Sequence, residues 1–232
     1  MWFGTDQGVY KYDSRRAVGK TFRNYNQKDG LAYVDITRKG ILVDKSGTVW
    51  VGTRGGVYRY DPVADSEGRK SFSLFKELGT VNIAGIMEDK NGNIWFASSN
   101  QGVFRYDPEQ KGDNAMSHLA EKELLGENYA GGIAQDKAGN MWFTMKNGIC
   151  RYDGKTFTEY MPKDGLGGTE FWGLIIEQSG IIWITARGST TRFDPSVSLP
   201  NPKAFTVFTP TDGLNCCVQS MFQDKSGNMW WG

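Results

Sequence analysis

Apolar and polar positions alternate in short bursts along this chain, and turn residues separate them. Residues 40–44, 49–53, 57–60 and 71–75 each read as a strand of four to six residues. Asp44, Lys45, Ser46 and Gly47 form the first break, where Asp bonds its own backbone and Gly takes a positive φ. Gly55 and Gly56 form the second. Strands this short, broken by such turns, argue against a helical solenoid.

The pattern repeats. G-V-Y-K-Y-D at 8–13 returns as G-V-Y-R-Y-D at 56–61, G-V-F-R-Y-D at 102–107 and G-I-C-R-Y-D at 148–153, with a worn copy S-T-T-R-F-D at 189–194. A second element precedes each later copy: D-K-S-G-T-V-W at 44–50, D-K-N-G-N-I-W at 89–95, D-K-A-G-N-M-W at 136–142, E-Q-S-G-I-I-W at 177–183 and D-K-S-G-N-M-W at 224–230. Trp2, Trp50, Trp95, Trp142, Trp183 and Trp230 are spaced by 48, 45, 47, 41 and 47 residues. That period is the length of a four-stranded propeller blade. The expected fold is therefore all-β: a β-propeller of four-stranded antiparallel blades, with about five repeats across residues 1–232.

Both ends fall on the second strand of a blade. In a closed five-bladed ring, residues 218–223 would complete the blade that begins at Trp2, and 229–232 would be left over. In an arc of a larger propeller, edges would stay open or pair by strand swapping, and the arc is the favoured expectation. A homodimer through this region is expected on the same ground.

Each recurring residue reads as structural. The tryptophans are expected between neighbouring blades, where truncation costs about 3–5 kcal/mol. The turn aspartates offer too few carboxylates per loop for calcium, so no metal is expected. Lys11, Arg59, Arg105, Arg151 and Arg192 read as solvated strand positions or partners of the adjoining Asp. Counting back four residues from each turn acid gives Gly40, Gly85, Gly132, Gly173 and Ser220, small residues suited to crowded strands about an axis.

Lys plus Arg at 27 against Asp plus Glu at 26 leaves no field to draw a polyanion or a membrane surface, so nucleic-acid and membrane contacts are not expected. No apolar run is long enough to cross a bilayer, and the chain opens on Met1, Trp2 and Phe3 without a basic n-region. An export signal, if the protein uses one, would lie outside these residues. Three cysteines, Cys150, Cys216 and Cys217, suggest neither a disulfide framework nor a zinc site.

The paired motifs D-K-x-G-N-[IM]-W and G-[VI]-[YFC]-[KR]-Y-D resemble the two-component regulator propeller repeat over essentially the whole chain. The resemblance implies a blade array in the extracytoplasmic or periplasmic sensor region of a hybrid histidine kinase or related bacterial regulator, commonly a detector of oligosaccharides. The residues that match are fold residues: Asp44, Asp89, Asp136 and Asp224, with Glu177 as a departure, and the turn glycines Gly47, Gly92, Gly139, Gly180 and Gly227.

Candidate ligand contacts come from where the repeats diverge, just before each first strand: Tyr33, Asp35, Asn82, Asn128, Tyr129, Glu170, Trp172, Asn215 and Gln219. Aromatic faces beside amide and carboxylate acceptors suit a carbohydrate. The expected function is non-catalytic ligand sensing, with a protein-binding scaffold as the alternative and no cofactor.

A lyase resembling the streptogramin lyases is the enzyme alternative. As a family those rely on histidines with magnesium, whereas this chain has one histidine, His118, expected in a surface loop. A Glu170–Glu177 acid and base pair is set aside because Glu177 occupies a turn position. Vicinal Cys216 and Cys217 read as buried beside an inner strand.

Overall fold

A computed structural model describes residues 1–15, 19, 21–119, 129–214 and 221–232. Asn128, Asn215, Cys216, Cys217, Gln219 and Ser220 lie outside the described residues. The chain divides into two compact units, Met1–Leu119 and Ala120–Gly232.

In the first unit, β1 (Trp2–Thr5), β2 (Gly8–Tyr12) and β3 (Phe22–Tyr25) make a three-stranded antiparallel sheet. β4 (Ile36–Val43), β5 (Val49–Thr53), β6 (Gly56–Tyr60) and β7 (Phe72–Leu74) follow as an antiparallel blade. β8 (Ile83–Glu88), β9 (Ile94–Ser98), β10 (Gly102–Tyr106) and β11 (Met116–Leu119) form the next. One parallel bridge, Lys39 to Gly85, joins β4 to β8 and merges these two blades into an eight-stranded sheet.

In the second unit, β12 (Ile133–Gln135), β13 (Met141–Met145), β14 (Gly148–Tyr152) and β15 (Phe157–Tyr160) form one four-stranded blade. β16 (Thr169–Ile176), β17 (Ile182–Arg187), β18 (Ser189–Phe193) and β19 (Phe205–Phe208) form another, and β20 (Met221–Gln223) pairs with β21 (Met229–Trp231). The four strands expected over residues 40–75 are all present. The first begins earlier, at Ile36, because irregular pairing between Ile36 and Ile41 accommodates extra residues at its start.

The D-x-x-G-x-x-W motif explains itself in atoms. Asp44 accepts from the Thr48 amide at 2.9 Å with Oδ1 and from the Trp50 indole at 2.7 Å with Oδ2. Asp89 takes the Asn93 amide and the Trp95 indole, and Asp136 takes the Asn140 amide and the Trp142 indole. Asn93 and Asn140 add a side-chain bond of 2.8 Å to the same carboxylate, which is why Asn recurs there. Glu177, one methylene longer, still receives the Trp183 indole. The turn glycines sit at φ between 87 and 96°, closing the tight loop that Asp caps. Each acid is thus occupied by its own turn and tryptophan.

Packing lies between sheets. Trp50 meets Phe75 of its own blade at 5.1 Å and Phe96 and Tyr106 of the next at 6.0 Å. Trp142 does the same with Tyr160 and Phe193. In one interblade core Val57, Ile83, Ile94 and Phe96 are buried with them, and in another Ile149, Leu174, Ile182 and Phe205. Crowding along the first strands, against a neighbouring first strand at Gly132 and against the blade's own second strand at Gly40, fits the expectation for the glycines. A Cβ on Gly132 would lie 3.0 Å from the Gly173 Cα, and one on Gly40 would lie 2.6 Å from the Gly52 carbonyl.

Two local expectations change, and one short helix appears that the repeat pattern did not announce. Lys11 Nζ lies 5.1 Å from the centroids of both Trp2 and Tyr60, and Arg59 lies over Trp50 and Phe75, so these cations cover rings instead of pairing with the next Asp. His118 is part of β11, stacked on Phe104 at 4.1 Å, with no loop to occupy. Between β6 and β7 a short helix α1 (Pro62–Ser66) intervenes, capped by Asp61 and led by Pro62.

Candidate functional site

Two of the segments that enter a first strand are held in place before they reach the divergent positions. At residues 26–31 and 161–166, a 3₁₀ turn ends in Lys-Asp-Gly-Leu. The Asp accepts from the amide three residues back (Asp29 from Asn26 at 3.0 Å, Asp164 from Met161 at 2.8 Å), and Leu31 and Leu166 are buried. The following residues emerge from that anchor beside the turn joining the second and third strands of a blade.

In the second unit this arrangement builds a cleft. Tyr129, Lys146, Glu170, Phe171 and Trp172 line a cavity of about 290 Å³. Tyr129 is half-buried, and its hydroxyl occupies space over Gly131, where a Cβ would come within 2.8 Å of it. Phe171 is buried and forms the floor, whereas Trp172 is half-buried and Glu170 is exposed.

Irregular pairing produces that split. Along β16 and β17 the partners run Thr169 to Arg187, Phe171 to Ala186 and Gly173 to Thr185, so Glu170 and Trp172 are extra residues with no partner across the ladder. Bulges re-aim side chains in this way. Glu170 is also a non-glycine residue at φ 55°, a left-handed conformation that costs roughly 1–2 kcal/mol. Its carboxylate pairs with Arg187 at 3.2 Å, and both side chains are more than half exposed.

The first unit carries the same device with other residues. Asp35 pairs with Arg54 at 2.8 Å. Tyr33 is 48% exposed and lies against Gly55, where a Cβ would fall 1.9 Å from the ring. Asn82 stands half-buried at the start of β8 and accepts the Ser99 amide at 3.0 Å through its carbonyl. Tyr129, Glu170 and Trp172 are therefore brought together in one cleft, Tyr33 and Asp35 flank the turn at Arg54 and Gly55, and Asn82 supports the turn of its own blade.

Arg54, Lys146, Phe171 and Arg187 belong to these sites and were not picked out from the sequence. The signal was available for three of them. The hairpin tips R-G-G at 54–56, N-Q-G at 100–102, K-N-G at 146–148 and R-G-S at 187–189 diverge among repeats as the entering segments do.

Comparison with known proteins agrees with the blade architecture. Residues 77–100 match the family model of the two component regulator propeller. No curated protein matches the chain. The extracellular domain of the hybrid two component system BT4673 from B. thetaiotaomicron superposes with a TM-score of 0.77 at 20% identity, over 99% of this chain and 32% of that one. The extracellular domain of BT3049 from the same organism gives 0.73 at 23% identity, over 99% and 30%. Catalytically inactive virginiamycin B lyase from Staphylococcus aureus, with quinupristin, gives 0.60 at 16% identity, over 88% and 63%.

This chain spans about a third of the two extracellular domains it matches. The fold is a β-propeller array of four-stranded antiparallel blades with about five repeats, and residues 77–100 of that array match the two component regulator propeller repeat.

Proposed function

We propose that this chain is a non-catalytic, ligand-sensing propeller segment of a bacterial signalling protein, acting outside the cytoplasm, and that its ligand is a glycan held in the cleft of Tyr129, Glu170 and Trp172. The observation that carries the reading is the doubled bulge of β16. It places backbone strain at Glu170 and forgoes ladder bonds to present an acid and an indole beside Tyr129. Strain of this kind collects at ligand sites. An indole and a phenol suit the apolar faces of sugar rings, and Glu170 supplies acceptors for their hydroxyls.

Two further observations support the non-catalytic reading. His118, the single histidine, is committed to the blade: its ring stacks on Phe104 and its Nε2 bonds the Gln101 carbonyl at 2.7 Å. Glu177 holds its turn through Ser179 and the Trp183 indole.

The test is a thermal-shift and calorimetric titration of the folded chain against a broad oligosaccharide panel. A ligand at one hundred times its Kd adds about 2.7 kcal/mol of stability. Binding that Trp172→Ala abolishes supports the reading. Silence across the panel, or binding indifferent to Trp172, overturns it.

A further inference from the structure

The charges around the cleft narrow the class of glycan, and this inference rests on the sugar-binding reading above. Among the described residues, Glu170 is the one carboxylate that lines the cleft, and it is already engaged by Arg187 at 3.2 Å. Lys146 lines the same cavity from the β13–β14 hairpin tip, and among the described residues it has no carboxylate within salt-bridge distance. Among the described residues, two cations and one acid therefore meet at this rim, and the positive charge in excess is on Lys146.

The first unit places the same acid and arginine pair, Asp35 with Arg54, at its rim. The arginine thus neutralises the rim carboxylate in both places, and the lysine is what the second-unit cleft adds. A neutral sugar needs an aromatic face and acceptors for its hydroxyls. It makes little use of an ammonium left without a counterion. A carboxylate on the sugar ring would supply that counterion and gain a charge-assisted hydrogen bond.

We propose that the cleft selects acidic sugars, specifically uronic-acid units, with Lys146 receiving the carboxylate while Trp172 and Tyr129 contact the ring. Because the site is open to solvent, the preference is moderate and sensitive to salt.

The experiment uses galacturonic, glucuronic and mannuronic trisaccharides, each paired with its uncharged methyl ester, titrated calorimetrically into the full chain at low and high salt. The expected result is that at least one acid binds about five- to tenfold more tightly than its ester, a gap that closes at about 0.5 M salt. Lys146→Met is expected to bring the acid down to the affinity of the ester. Lys146→Arg is expected to keep the gap, and its folding controls for damage to the turn.

Esters that bind as tightly as their acids would overturn the selection of acids and leave the glycan reading standing. A gap unchanged by Lys146→Met would overturn the assignment to Lys146. No binding by any acid or ester, together with no binding in the broad neutral panel, would overturn both readings.

Discussion

Arg59 stands directly across the β5–β6 ladder from Trp50 and holds its guanidinium carbon 5.4 Å from the centre of the indole. The register recurs from blade to blade: Lys11 faces Trp2, Arg105 faces Trp95, Arg151 faces Trp142 and Arg192 faces Trp183. The cation is the cross-strand partner of the tryptophan, which accounts for its recurrence in a motif with no net charge to explain.

Removing that cation should loosen the interblade seam. Arg59→Met is expected to cost about 1 kcal/mol, within the range for a ring–cation pair at a partly exposed site, while Arg59→Lys costs less because Lys11 fills the equivalent place. Urea denaturation curves with unchanged slope would measure the difference.

Truncating the turn acid should cost more. Asp89 is 4% exposed and takes bonds from two backbone amides, the Asn93 side chain and the Trp95 indole. Asp89→Ala leaves those donors unmet and is expected to cost about 2–3 kcal/mol, the range for bonds to a buried charged group. Thermal unfolding reads the loss. Asp89→Asn, which keeps one acceptor, should recover part of it.

Acid should act through the same residues. Burial pushes the carboxyls of Asp89 and Asp136 up, but bonds from tryptophan, asparagine and backbone outweigh it and hold both below the ordinary range. Bonds from Trp230 and Asn228 hold Asp224 down to about 2. A carboxyl whose folded pKa lies below its unfolded value of about 3.9 gives its full stabilisation above that value and loses it as pH falls through the folded one. Calorimetry should find Tm level from pH 7 to about 5, then falling between about pH 4 and 2. The double variant Asp89→Asn, Asp136→Asn should flatten that fall.

Glu170 should show a trade between stability and binding. Asparagine tolerates the left-handed conformation better than glutamate, and the exposed pair with Arg187 contributes little. Glu170→Asn is expected to keep Tm or raise it by about one to two degrees, a gain below about 0.5 kcal/mol, while weakening oligosaccharide binding. A lower Tm with unaltered binding would show that the bulge serves the blade alone.

The sequence exposed what repeats. Asp44, Gly47 and Trp50 recur because one turn builds them all, so strand order and turn chemistry could be read from spacing. What lies across a ladder could not: Arg59 adjoins Tyr60 and Asp61 along the chain, yet its partner is Trp50, and Asp61 caps α1 through the Val63 and Ala64 amides. Among the described residues that helix occurs in one repeat, so no periodicity announced it.

The candidate site was legible to a similar depth. Divergence pointed to Tyr129, Glu170 and Trp172 on the entering segments, and the cleft unites them. Lys146 and Arg187 arrive from hairpin tips 17 residues away from Tyr129 and Glu170, and only the fold supplies that neighbourhood.

The acid-to-indole clip spans six residues. Every atom it needs belongs to one hairpin, and hairpins form in about 1–10 μs. Each blade can therefore set its own first turn as soon as those residues are free to move, before any neighbour has docked. Such a chain assembles from local decisions, which lets a repeat be duplicated in a gene without rewriting the instructions of the others.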